Sequence, residues 1–255
     1  MNITTDLSAA KTAGKRPPSE VWSQRINHWF EHHWLLTFNG FWGAFVGLPF
    51  LAPALMATGL TLPARLVYTI YSFLCHQLPE RSWFLFGPQI SYTQEQIAAA
   101  WGVTVADISH EMIRRQFIGT PELGWKIAWS DRMVAMYGSI LLFGLLYALL
   151  RQWRIRPKGF SWQWLLLLIL PMALDGATHL VNDVLRLSFR DVNQWAIWLT
   201  GGVFPPQFYA GDMFGSLNSL LRITTGLLFG LGLVGFLWPL MDREFSPHPK
   251  SLTGQ

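Results

Sequence analysis

Charged residues are absent from long stretches of this chain. Trp34 to Leu60 and Met133 to Leu150 carry none, Ser161 to Asn182 carries only Asp175, and Met213 to Met241 carries only Arg222. Each block is long enough to cross a bilayer core as an α-helix, which takes about 20 residues. Leu66 to Pro79 is also uncharged but too short for a comfortable crossing, and predicts a half-helix that enters the membrane without leaving on the far side. Val192 to Gly211 is interrupted by Gly201-Gly202 and Pro205-Pro206. It predicts an interfacial helix over Asn193 to Thr200 followed by a broken loop. The expected fold is all-α, a polytopic helical membrane protein with four transmembrane helices plus a short half-helix; five transmembrane helices is the alternative.

Composition and charge support this pattern. Charged residues make up 13% of the chain and hydrophobic ones 51%, whereas soluble domains carry roughly 25% charged residues. Trp29, Trp34, Trp129, Trp153, Trp162, Trp164 and Trp238 lie near block ends, where an amphipathic ring suits the headgroup level. The first twenty residues are polar and do not read as a cleavable signal, so Trp34 to Leu60 is expected to persist as the first anchor. Arg151, Arg154, Arg156 and Lys158 form the densest basic loop, and Lys11, Lys15, Arg16 and Arg25 precede the first block; both regions are expected in the cytoplasm. Four crossings put them on one side, whereas five separate them. The chain therefore divides into a polar cytoplasmic N-terminus with an interfacial helix (1–33), a helical membrane domain (34–241) with a helical cap inserted at 90–130, and a polar tail (242–255).

The cap segment carries a Thr93/Gln96 capping box, a helix to Trp101, a turn at Gly102, a second cap at Thr104/Asp107 and a helix to Phe117. DNA-binding helix pairs share such a pattern. Here Arg114 and Arg115 face Glu95, Asp107 and Glu111, which leaves no basic stripe for phosphates, so no nucleic acid is expected.

Several polar residues sit where lipid would exclude them. Asp175, His179, Asn182 and Arg186 share one helical stripe, and Asn218, Arg222 and Thr225 form another. Whatever the span count, the end of the half-helix, Asp131, the segment after Asp175 and the segment before Arg222 reach the same leaflet. The plain expectation is an Asp175–Arg222 ion pair locking two helices. The functional alternative is a polar pocket built from Cys75, His76, Glu80, Arg81, Asp131, Arg132, Asp175, His179 and Arg222. A transition metal such as zinc is weighed at Asp175 and His179, four residues apart, with His76 as a third ligand. His28 and His32, beside Glu31 and His33, offer a second metal reading like that of a purification tag, against an interfacial helix anchored by Trp29, Phe30 and Trp34. The single cysteine excludes an internal disulfide. Gly43/Gly47 and Gly226/Gly230 have the small-xxx-small spacing that brings helices together, within the chain or with a partner subunit or second copy.

Cys75-His76-Gln77 with Arg81-Ser82, Ser130-Asp131-Arg132 leading to Tyr137-Gly138, Asp175-Gly176, and Arg222 with Thr225-Gly226 follow one another over roughly residues 50 to 240. In this order they resemble a family of prokaryotic membrane proteins, domain of unknown function number two thousand and eighty-five. The resemblance implies the cytoplasmic membrane of a prokaryote and no particular activity. Members tend to carry a second cysteine near the arginine opening the block at Met133. Ser130 holds that place here, which directs attention from paired-cysteine chemistry to the histidine, aspartate and arginine groups. Three functions remain open: a small transporter or permease-like component, a membrane-embedded enzyme acting on a lipid-linked substrate, and a structural or assembly subunit of a membrane complex.

Overall fold

The computed structural model describes residues 18–185 and 187–245; Lys11, Lys15, Arg16, Arg186 and the tail from Ser246 lie outside them. Helix α1 (Pro18–Ala57) runs unbroken for 40 residues, or about 60 Å at 1.5 Å per residue. The separate interfacial helix expected before Trp34 is instead the first part of α1, because Val21 to Trp34 contains neither glycine nor proline to interrupt the ladder. Helix α2 (Thr61–Ser72) has 12 residues, about 18 Å, and falls short of a core roughly 30 Å thick. It buries Ala64, Tyr68 and Tyr71 and leaves Leu62, Leu66 and Ile70 exposed. Its two tyrosine hydroxyls donate to the carbonyls of Lys126 and Phe45.

The half-helix ends earlier than the uncharged stretch suggests. Cys75 and His76 lie in the turn after α2, Gln77 takes a positive φ of 54°, and Pro79–Arg81 form one turn of 3-10 helix. Pro79 disfavours helical backbone at Leu78, which is extended.

The insertion contains strands as well as helices. Strand β1 (Ser82–Leu85) is followed by helix α3 (Gln94–Trp101), the single turn α4 (Glu111–Arg114), β2 (Gly119–Thr120) and β3 (Gly124–Ser130). The strands form an antiparallel sheet in the order β1-β3-β2. The Thr93/Gln96 capping box and the left-handed Gly102 bound α3 as the spacing predicts. The Thr104–Asp107 bonds also form, but they close a local turn, and the expected helix to Phe117 is cut to α4. The short run Trp125 to Trp129, apolar but for Lys126, becomes the central strand; a run this short has no periodicity to separate strand from buried helix. Gly124 (φ 77°) permits the close crossing, since a Cβ there would lie 2.3 Å from the Leu85 carbonyl oxygen. Phe84, Tyr92, Ile97, Ile108 and Phe117 give the insertion its own small core.

Helix α5 (Asp131–Gln152), α6 (Trp162–Leu185), the short α7 (Gln194–Thr200) and α8 (Pro206–Tyr209), and α9 (Leu217–Phe245) complete the described chain. Among the described residues four helices, α1, α5, α6 and α9, are long and apolar enough to cross a membrane, so the protein is an all-α polytopic membrane protein carrying a small inserted sheet. Helix α9 runs beside α5 and against α6. A Cβ at Gly226 would lie 2.9 Å from that of Ala135, and one at Gly230 would lie 1.9 Å from Ser139 Oγ. This glycine face is therefore closed inside the chain and does not serve a partner, because side-chain-free backbone is what lets α5 approach α9. Gly47 faces open space instead, and a Cβ at Gly43 would reach only Leu141 Cδ1 of α5, at an ordinary 4.0 Å. At the opposite end of the bundle from the insertion, Arg151 pairs with Asp242 at 3.1 Å and lies over the Trp34 ring.

Candidate functional site

The polar residues converge where the insertion meets the bundle. Asp131 and Arg132 open α5, Asp175 and His179 lie toward the end of α6, and Arg222 lies in the second turn of α9. Asp131 is held in a forked pair by Arg222, Nε to Oδ1 at 2.7 Å and Nη2 to Oδ2 at 2.9 Å, with Ser219 Oγ also donating at 2.8 Å. Arg222 Nη1 donates to Asp212 at 2.6 Å, and Arg81 Nε reaches the other oxygen of Asp212 at 2.8 Å. Arg81 also faces Asp183 at 3.7 Å. In the neighbouring cluster, Asp175 receives Arg132 Nη2 and Arg190 Nη2, each at 2.7 Å, and Arg190 Nη2 lies 2.8 Å from His179 Nε2.

The expected Asp175–Arg222 pair does not form. Gly226 draws α9 onto α5, so the carboxylate in front of Arg222 is Asp131. Gly176 leaves room for the Arg132 guanidinium, whose Nη1 would lie 3.2 Å from a Cβ there, and Arg132 reaches Asp175 across from α5. The metal set of His76, Asp175 and His179 is not assembled either. Arginines occupy the carboxylate and the imidazole, and exposed His76 makes no hydrogen bond among the described residues. Arg190, in the loop after α6, meets Asp175 and His179 of the α6 stripe; Arg186 lies outside the described residues. Arg190, Asp183 and Asp212 were missed because they lie at or beyond the ends of the uncharged blocks. A buried asparagine pair pins their loop: Asn193 donates to the Arg190 and Tyr209 carbonyls and to Asn218, which donates to the Arg190 and Gly211 carbonyls.

Glu80 belongs to the insertion and pairs with Arg114 at 2.8 Å. Burial pushes its carboxyl up, against the pull of Arg114 and Arg81. At Asp212 burial works in the same upward direction, but Arg81 and Arg222 outweigh it and hold the carboxyl well below the usual range. Lys126 on β3, unremarked in the sequence, is fully buried; its Nζ donates to the carbonyls of Gln77 at 2.6 Å and Arg115 at 2.8 Å. Burial brings its ammonium down to about 7, with Glu80 and Cys75 opposing. The Cys75 sulfur accepts from the Gln77 N–H at 3.3 Å and lies 3.5 Å from Ser130 Oγ, so the two residues named together in the sequence are neighbours in space.

A cavity of 540 Å³ opens beside this network, lined by the polar residues Arg81, Arg132, Arg222, Cys75 and His76 and by the apolar residues Leu74, Leu78, Met133, Leu180 and Val184. Two further cavities, of 620 Å³ and 730 Å³, share Glu111 and Asp183 with its lining. Arg190 and Arg222 are closed, their side chains 6% and 2% exposed, while Arg81 and Arg132 remain 19% and 21% exposed. Arg132 Nε has no hydrogen-bond partner among the described residues.

Residues 109–236, half of the chain, match the family described as "Predicted membrane protein (DUF2085)". The chain belongs to the DUF2085 family. The DUF2085 segment includes both ion-pair centres on α5, α6 and α9, and leaves Cys75, His76, Glu80 and Arg81 to the preceding part of the chain. The chain is also similar to the uncharacterized protein MJ1492 of Methanocaldococcus jannaschii, 26% identical over 148 residues that span 58% of this chain and 68% of that protein. No solved structure matches the chain.

Proposed function

We propose that this protein binds an amphiphile with an anionic headgroup, drawn from one membrane leaflet into the cavity between the turn after α2 and the end of α6. The observation that carries this is the mixed lining of the 540 Å³ cavity, which joins the part-exposed guanidiniums of Arg81 and Arg132 to leucine, methionine and valine side chains. Guanidinium forks suit phosphate and carboxylate. Leu74, Leu180 and Val184 are exposed at the rim, and in a membrane such side chains face acyl chains, which gives a lipid tail a route in.

This favours a lipid-linked ligand over a conducted solute. Beneath the ion pairs α5 and α9 pack closely at Gly226 and Gly230, which supports a cavity confined to one leaflet. It also favours binding over a purely structural lock, because a lock needs no cavity and no spare donors. The basic loop Arg151 to Lys158, read as cytoplasmic, supports an extracytoplasmic cavity in the cytoplasmic membrane of a prokaryote.

The test is native mass spectrometry of protein released from nanodiscs of mixed anionic and zwitterionic lipids. Arg132→Gln is the informative variant, since Asp175 keeps Arg190 at 2.7 Å. The wild type should retain an anionic lipid that the variant retains at least about tenfold less. Equal retention in both, or no preference for the anionic lipid, would refute the proposal.

A further inference from the structure

We infer that His28, Glu31 and His32 form a binding site for a zinc-type divalent metal on the part of α1 that precedes the membrane block. The ligand atoms of these residues all lie within 4.8 Å of one another. A tetrahedral zinc with bonds near 2.0 to 2.1 Å places its ligand atoms about 3.3 Å apart, a gap that side-chain rotation closes for three exposed residues.

Two features make this more than a chance cluster. The unbroken helix Pro18–Ala57 fixes residues 28, 31 and 32 on one face, so the grouping follows from backbone geometry. His32 Nδ1 donates to the His28 carbonyl at 2.8 Å, which sets its tautomer and leaves Nε2 as the free ligand atom. The neighbouring His33 lies outside this grouping, and its ring stacks on Trp29 at 4.8 Å.

The donor set fits the metal class. Two neutral imidazoles and a carboxylate suit a borderline-soft divalent ion, and magnesium or calcium would want more oxygen. The His-x-x-Glu-His spacing also occurs in zinc peptidases, where the glutamate is a general base. Here the three residues are exposed on a helix surface, and we assign them metal binding, with water or a neighbouring molecule filling the remaining positions.

The experiment uses the full chain, purified in detergent without a polyhistidine tag, titrated with Zn²⁺ by calorimetry and with Co²⁺ by visible absorption. The expected result is saturable binding of one equivalent, weakened at least about tenfold in His28→Ala and in His32→Ala and unchanged in His33→Ala. All three positions are exposed, so unaltered helicity by circular dichroism will accompany the loss. Absence of saturable binding, or an unchanged isotherm in the His28→Ala/His32→Ala double variant, would overturn the assignment.

Discussion

The Asp131–Arg222 pair offers a direct measure of how much the polar network holds the bundle together. Both side chains are 2% exposed, and Arg222 makes two bonds to Asp131 and two to Asp212. Removing one member of a buried pair strands the other charge and costs about 3 to 5 kcal/mol. Arg222→Met should show that cost, because Asp131 keeps only Ser219 Oγ and the Arg132 N–H, while Asp212 keeps Arg81. Asp131→Leu should cost a similar amount by leaving Arg222 with Asp212 alone. Replacing both with apolar groups removes the stranded charge along with the attraction, so the double variant should cost about 0 to 3 kcal/mol, far below the sum of the single variants. The assay is reversible unfolding in mixed micelles with increasing sodium dodecyl sulfate, followed by tryptophan fluorescence. If the double variant equals the sum of the singles within about 0.5 kcal/mol, the pair is uncoupled and the reasoning fails.

Two further outcomes follow from packing and burial. Gly230→Ala places a Cβ 1.9 Å from Ser139 Oγ and 2.9 Å from the Ile140 backbone nitrogen, so α5 and α9 must separate; thermal unfolding should show a loss of about 1 to 3 kcal/mol, with Gly47→Ala close to wild type. Lys126 has a folded pKa near 7, below its unfolded value of about 10.4, so the unfolded chain binds the extra proton between these limits. Stability should therefore rise as pH increases from 7 toward 10, by up to about 1.4 kcal/mol per unit, and Lys126→Met should flatten that rise in a pH series of unfolding curves.

Most of the membrane architecture is legible from the order of residues. The uncharged blocks correspond to α5, α6, α9 and the later part of α1, and the interfacial helix at Asn193 to Thr200 appears as α7. The convergence of Arg81, Asp131, Asp175 and Arg222 at one end of the bundle follows from counting crossings. The small sheet was not legible: β3 is five apolar or amphipathic residues between a glycine and a serine, and its partners lie in segments without alternation. The partners within the polar cluster were equally hidden. Asp175 and Arg222 are the charges inside otherwise uncharged blocks, which makes their pairing the economical guess; the residues that answer them, Arg132, Arg190, Asp131 and Asp212, lie at block ends and in loops.

What the sequence alone determined is where this chain can reside and which of its ends meet. A bilayer imposes a length and a polarity on every crossing, and both are properties of contiguous residues. Which charge answers which was decided only by the tertiary structure. Arg132 meets Asp175 across 43 positions and Arg222 meets Asp131 across 91, and those choices follow from a few ångströms of helix approach at Gly176, Gly226 and Gly230. Absent side chains leave no mark on hydropathy, yet they decide which helices touch.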